Sequence, residues 1–204
     1  MCVIAVSQSG KKLPIEWLSD MWLVNDDGAG IGYVTNSQVH VRKGFMTLNS
    51  FLKFYEKLPE LPHVIHFRLA NVGSVTKSLT HPFRIDRPDN LKTSYKAELV
   101  LFHNGTIKNY EQFAKLARVS AKNSDTYCLA RYLAKLSYND KINLLRKQLG
   151  SKFVILAPNS IVLLGQFFPK DSFWFSNLHW ENYSLIREYM KYYKHWKNWN
   201  WKLD

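Results

Sequence analysis

The chain begins with chemistry. Cys2 follows Met1 directly, and the only other cysteine is Cys128. If Met1 is removed, Cys2 becomes the first residue and carries a thiol and a free α-amine on one carbon. Ordinary pKa values of about 8.5 for the thiol and ~7.7–8.0 for the amine pair a nucleophile with a weak base. That is the logic of N-terminal-nucleophile catalysis. Taken alone, Cys2 also reads as a small buried residue opening a strand.

Three further segments carry polar groups that a core would not select. In His66-Phe67-Arg68-Leu69-Ala70-Asn71-Val72-Gly73, Arg68 ends an apolar run. A partly enclosed guanidinium suits a carboxylate, which its planar fork grips bidentately. In His103-Asn104-Gly105, the Asn104 amide and the Gly105 N–H can form an oxyanion hole, although the segment is also an ordinary turn. In Ser124-Asp125-Thr126, Ser124 caps a helix and Asp125 has the charge to hold a substrate ammonium.

The elements that must position these groups are legible from periodicity. Met1–Val6 reads as a first strand. Pro14 opens a helix with Ile15, Leu18, Met21 and Trp22 on one face. The run 25–30 is turn chemistry. Strands Ile31–Thr35 and Gln38–Arg42 form a hairpin through Asn36-Ser37. A helix over Thr47–Leu58 stops at Pro59, and His63–Leu69 is a strand. Residues 71–90 read as loop. Glu98–Phe102 is a strand, Tyr110–Val119 a helix, and Ser124 opens another helix that buries Leu129, Leu133 and Leu136. Asp140–Leu149 is helical with Gly150 as its stop. Phe153–Ala157 and Ile161–Gly165 form a second hairpin, and a short strand lies near Trp174-Phe175. The tail from Asn182 reads as helical. This order lacks strict βαβ alternation and predicts an α+β fold with antiparallel sheets covered by helices.

Composition sets the outer bounds. With 46% apolar and 15% aromatic residues in a 204-residue chain, one substantial core is available. No apolar run reaches the ~18–20 residues of a membrane span, and the early lysines follow the apolar segment where a secretory leader would place them before it. Two distant cysteines make no disulfide framework, so a cytoplasmic protein without membrane association is the expectation. His40, His63, His66, His81 and His103 are scattered without metal-ligand spacing, so neither a metal nor a cofactor is expected. A net charge of +12 favours acidic partners or simply maintains solubility.

Taken in order, these segments resemble the glutaminase domain of class II glutamine amidotransferases, which are N-terminal-nucleophile hydrolases. The matching pieces are Cys2, Asn25–Tyr33, His66–Gly73, Thr80–Phe83, Phe102–Ile107 and Ser124–Thr126, followed by two later strand segments. The likeness spans roughly residues 2–178 and is nearest in kind to small stand-alone members of phages and bacteria. It implies a four-layer αββα sandwich, two antiparallel sheets between helical layers, over residues 1–181. By the resemblance, Cys2 attacks the glutamine side-chain amide and its α-amine moves the proton through a water. Asn104 and Gly105 form the oxyanion hole, Arg68 binds the α-carboxylate, Asp125 binds the α-ammonium, and Asn71 and His81 complete the substrate site. Two positions depart from the family pattern: Val3 stands where glycine is usual, and Asn71 where threonine or serine is common.

The chain is too short for an ammonia-consuming domain of its own, so a separate ammonia-accepting protein is expected. Residues 182–204 form a basic aromatic tail, with Tyr189, Tyr192, Tyr193, Trp196, Trp199 and Trp201 among Lys191, Lys194, Lys197 and Lys202. Such a tail suits nucleic acid, a protein interface, or packing on its own domain. A catalytically silent binding protein on the same fold, and an amidase for another amide, are the competing readings.

Overall fold

The computed structural model describes residues 2–181. Its elements, in chain order, are β1 (Val3–Ser7), α1 (Ile15–Val24), β2 (Ala29–Thr35), β3 (Gln38–Phe45), α2 (Leu48–Tyr55), β4 (His63–Phe67), β5 (Phe83–Arg84), β6 (Ser94–Ala97) and β7 (Val100–Asn104). There follow α3 (Tyr110–Ala117), α4 (Asp125–Leu133), α5 (Tyr138–Arg146), β8 (Lys152–Ala157), β9 (Ser160–Leu164), β10 (Phe168–Lys170) and β11 (Phe173–Phe175). One sheet runs β10-β11-β1-β4-β2-β3-β6 and the other β5-β7-β8-β9. Every strand pairing is antiparallel.

Strand alternation builds the layers, because successive side chains point to opposite faces. In β1, Val3 and Ala5 face a core shared with Leu18 and Met21 of α1 and Phe51 and Tyr55 of α2. Ile4 and Val6 face the other way and meet Val100, Phe102, Val154 and Leu156 of the second sheet. The far side of that sheet carries Leu101, Phe153 and Ile155 against Leu129, Leu133 and Leu145 of the later helices. Three apolar layers between four structural layers make the αββα sandwich, as the sequence leads one to expect.

The local reading differs at several edges. Residues 71–90 are not all loop: they hold a 3₁₀ turn at Lys77–Leu79 and the two-residue strand β5. The edge strands β6 and β10 gave no sequence signal, since Ser94–Ala97 and Phe168–Lys170 are short and mostly not buried. The strand expected at Glu98–Phe102 is displaced to Val100–Asn104. Ala29 and Gly30 belong to β2 rather than to the preceding turn. Ile15 is exposed instead of facing the core, and α5 stops at Arg146, leaving Leu149 in solvent. The helical tail expected from Asn182 lies outside the described residues.

One interior side chain stands out. Lys43 on β3 follows the inward positions Val39 and Val41, and it is 5% exposed. Its Nζ has no hydrogen-bond partner and lies 4.2 Å from the centre of the Phe83 ring. Burial pulls its pKa down to about 8, with Asp89 opposing. Below that pH the lysine is charged in both folded and unfolded chains, and the folded state bears the full desolvation cost. Between about 8 and 10.5 the unfolded chain binds more protons, so stability rises with pH. Lys43→Met is therefore expected to stabilise the protein by about 3 kcal/mol at pH 7. The advantage should vanish near pH 10.5, as urea unfolding at the two pH values will measure.

Candidate active site

Cys2 lies at the head of β1, which is flanked by β11 and β4 in the middle of the larger sheet. Its Sγ donates to the Leu69 carbonyl at 3.3 Å and accepts from the Leu69 N–H at 3.3 Å. The Cys2 carbonyl accepts from Asn177 Nδ2 at 2.8 Å. Burial pushes the thiol pKa up, opposed by the Leu69 contact and by Arg68. Val3 is fully buried, paired with Phe67 and turned into the core shared with α1 and α2.

Arg68 follows β4 and is 3% exposed. The turn at 25–30 explains its placement. Arg68 N–H donates to the Gly28 carbonyl and Asp27 N–H to the Arg68 carbonyl, at 2.9 and 3.0 Å. Asp27 Oδ2 also accepts from the Ala70 N–H at 2.8 Å, fixing the exit of the loop. The guanidinium donates to the carbonyls of Ser74 (2.9 Å) and Val72 (3.3 Å). No carboxylate among the described residues pairs with it. Burial lowers its pKa, and Cys2, Asp27 and Asp125 pull it back.

Asp125 opens α4 beneath the Ser124 cap, whose hydroxyl accepts from the Tyr127 N–H at 3.2 Å. Its Oδ2 accepts from the Ile107 N–H at 2.9 Å, and its Oδ1 from the Thr126 N–H at 2.7 Å and the Thr126 hydroxyl at 3.2 Å. Burial raises its pKa, while these donors and Arg68 lower it. The contact to Ile107 ties the helix to the loop after β7. There Gly105 has φ +148, and a Cβ would meet Ser151 Oγ at 2.9 Å. Only glycine takes that turn readily.

Three imidazoles cluster here: His81 and His103 line the crevice, and His66 packs against both. His66 Nε2 meets the His103 carbonyl at 2.9 Å, and its ring stacks on His81 at 4.0 Å between centres. His103 stacks on Phe153 and bridges Thr126 Oγ1 (2.8 Å) and Ser151 Oγ (3.1 Å). Because the Thr126 hydroxyl donates to Asp125, it accepts from His103 Nδ1–H, and His103 Nε2 accepts from Ser151. Both ring nitrogens of His81 lack partners. The backbone of His81 lies against Gly30, where any Cβ would come within 1.9 Å of the His81 carbonyl oxygen. Burial drives His66 and His103 to about 3 and His81 well below its ordinary value. All three are neutral near pH 7.

The structure brings Cys2, Arg68, Asn71, His81, Gly105 and Asp125 around one crevice. Asn71 is exposed on its rim. Asn104 is the exception. It does not line the crevice, and its Nδ2 donates to Ser176 Oγ at 2.8 Å while Oδ1 is buried without a partner. Ser176 also accepts from the Ile4 N–H at 2.9 Å, and its carbonyl accepts from Lys152 Nζ. Sequence reasoning assigned Ser176 and Asn177 no role. Their contacts cross 72 to 175 residues of chain, so no local spacing reports them. The cavity is small, about 20 Å³, near the room one water needs. Among the described residues no cluster of His, Cys, Asp and Glu has metal-binding geometry, and no helix is long and apolar enough to cross a membrane.

The two antiparallel sheets between helical layers are the fold of the N-terminal-nucleophile hydrolases. Two solved structures share it: the glutamine phosphoribosylpyrophosphate amidotransferase from B. subtilis complexed with ADP and GMP, at TM-score 0.59, and an allosteric regulatory enzyme of purine biosynthesis, at 0.58. Each is 16% identical over 86% of this chain, which spans only 41% of either structure. No family profile and no curated protein matches the sequence.

Proposed function

We propose that the protein hydrolyses the side-chain amide of glutamine through a thioester on Cys2 and passes the ammonia to a separate acceptor protein. The convergence of the Cys2 thiol, the Arg68 guanidinium and the Asp125 carboxylate on one crevice carries this reading. A thiol, a cation and an anion at one cavity fit a reacting carbonyl and the two charged ends of a free amino acid.

In this reading Met1 is absent. The free α-amine of Cys2, acting through a water, takes the thiol proton as sulfur attacks the amide carbon. The oxyanion meets the Gly105 N–H and the Asn104 amide. The proton passes to the leaving nitrogen, ammonia departs, and water then cleaves the thioester to glutamate and restores the thiol. Arg68 holds the α-carboxylate, Asp125 the α-ammonium, and Asn71 and His81 border the substrate. Glutamine is far larger than the present void, so binding requires the loop 69–75 to shift. The Val72 and Ser74 carbonyls on Arg68 are the groups a substrate carboxylate would replace.

The test is intact mass before and after exposure to an electrophilic glutamine analogue. The Met1-free protein is expected to gain one adduct, mapped to Cys2, and glutamine should protect against it. An unmodified Met1-free protein would refute the reading in favour of a silent binding protein on the same fold. The basic tail, 182–204, lies outside the described residues, and its proposed roles toward a protein acceptor or nucleic acid are to be tested by truncation.

A further inference from the structure

We infer that Ser176 is a positioning residue that orients the Asn104 amide so that its NH₂ group is free for the reacting oxygen. The inference rests on the glutaminase reading above. The Ile4 N–H can only donate, so Ser176 Oγ is fixed as its acceptor at 2.9 Å. The second neighbour of that oxygen is the Asn104 amide at 2.8 Å. With Nδ2 on the serine, Oγ accepts twice and its own proton has no acceptor among the described residues. Asn104 Oδ1 is then a buried acceptor without a donor. Two unmet groups in a fully enclosed place are costly.

The two ends of a carboxamide have the same shape, so the network decides which is which. A half-turn of the Asn104 amide lets Ser176 Oγ–H donate to Oδ1, satisfying both groups without moving a heavy atom appreciably. Nδ2 then takes the enclosed place Oδ1 holds, where no protein acceptor meets it, and it stays unspent for a reacting oxygen once substrate opens the crevice that the neighbouring Gly105 lines. That is the donor an oxyanion hole requires. The same strand end serves both halves of the site: Ser176 sets the oxyanion donor, and the adjacent Asn177 holds the carbonyl of the nucleophile. Lys152, which pairs with Asn104 across β7 and β8, fixes the Ser176 carbonyl in turn.

The experiment is steady-state glutamine hydrolysis by the Met1-free wild type, Ser176→Ala and Ser176→Cys. A cysteine fills the same space but donates weakly, so it separates hydrogen bonding from packing and serves if the alanine variant does not fold. Both variants are expected to lose about 10- to 100-fold in kcat, with KM within about twofold. Wild-type kcat in Ser176→Cys would reduce Ser176 to packing and overturn the inference, as would a loss expressed in KM. A Met1-free wild type that does not turn over glutamine would overturn the functional reading, and the inference with it.

Discussion

Cys2→Ala is expected to abolish glutamine hydrolysis while leaving the melting temperature within a few degrees of wild type. The thiol's hydrogen bonds go to the Leu69 backbone, and the Cys2 carbonyl bond to Asn177 survives the change. Activity lost with the fold intact therefore isolates the sulfur. The pH profile adds a sharper reading. Burial raises the thiol pKa above its ordinary value, so at neutral pH the sulfur is protonated and a base must take the proton. The α-amine, ordinarily near ~7.7–8.0, is that base in the proposed reaction. The rate should climb tenfold per pH unit and level off near pH 8. A limb that keeps rising well past pH 9 would mean that a preformed thiolate attacks without the amine. Residual wild-type turnover in Cys2→Ala would remove the mechanism altogether.

Acid should unfold the protein abruptly. His63, His66 and His103 are held neutral to about 4, 3 and 3, and His81 is also driven far below its ordinary value, each chiefly by burial. Above pH 6.5 these rings are neutral in both folded and unfolded chains and do not affect stability. As pH falls below 6.5 the unfolded chain takes up protons that the folded chain refuses, so stability drops by roughly 1.4 kcal/mol per pH unit for each ring. By pH 5 the four together remove about 8 kcal/mol, comparable with the ~5–15 kcal/mol of a typical domain. Circular dichroism across a pH series should show cooperative unfolding between pH 5 and 4. Denaturant midpoints unchanged from pH 7 to 4.5 would contradict the burial of these rings.

Much of this arrangement is readable in the sequence, and the reason is local. Arg68, Gly105 and Asp125 each sit where a strand or helix begins or ends, and such boundaries leave marks: a charge ending an apolar run, a turn glycine, a serine cap before an aspartate. The short apolar runs of β1 and β8 likewise read as strands, and the fold buries them on both faces. What stayed hidden was either short or distant. β5 spans two residues, too few for any period. Lys43 reads as an ordinary surface charge, because nothing beside it in the chain says that Phe83 lies beneath its ammonium. Ser176 and Asn177 resemble any serine and asparagine after a strand, and their partners are Asn104 and Cys2 on the far side of the chain's history.

That separation has a consequence for biosynthesis. Ile4 N–H finds its acceptor 172 residues later, and β1 stays without one neighbour until β11 has emerged. β1 is synthesised long before β11, yet the setting of Cys2 is finished only when nearly the whole described chain is available. Nascent chains arrested before Phe173 would hold Cys2 beside an open sheet edge, so its complete surroundings arise late and all at once.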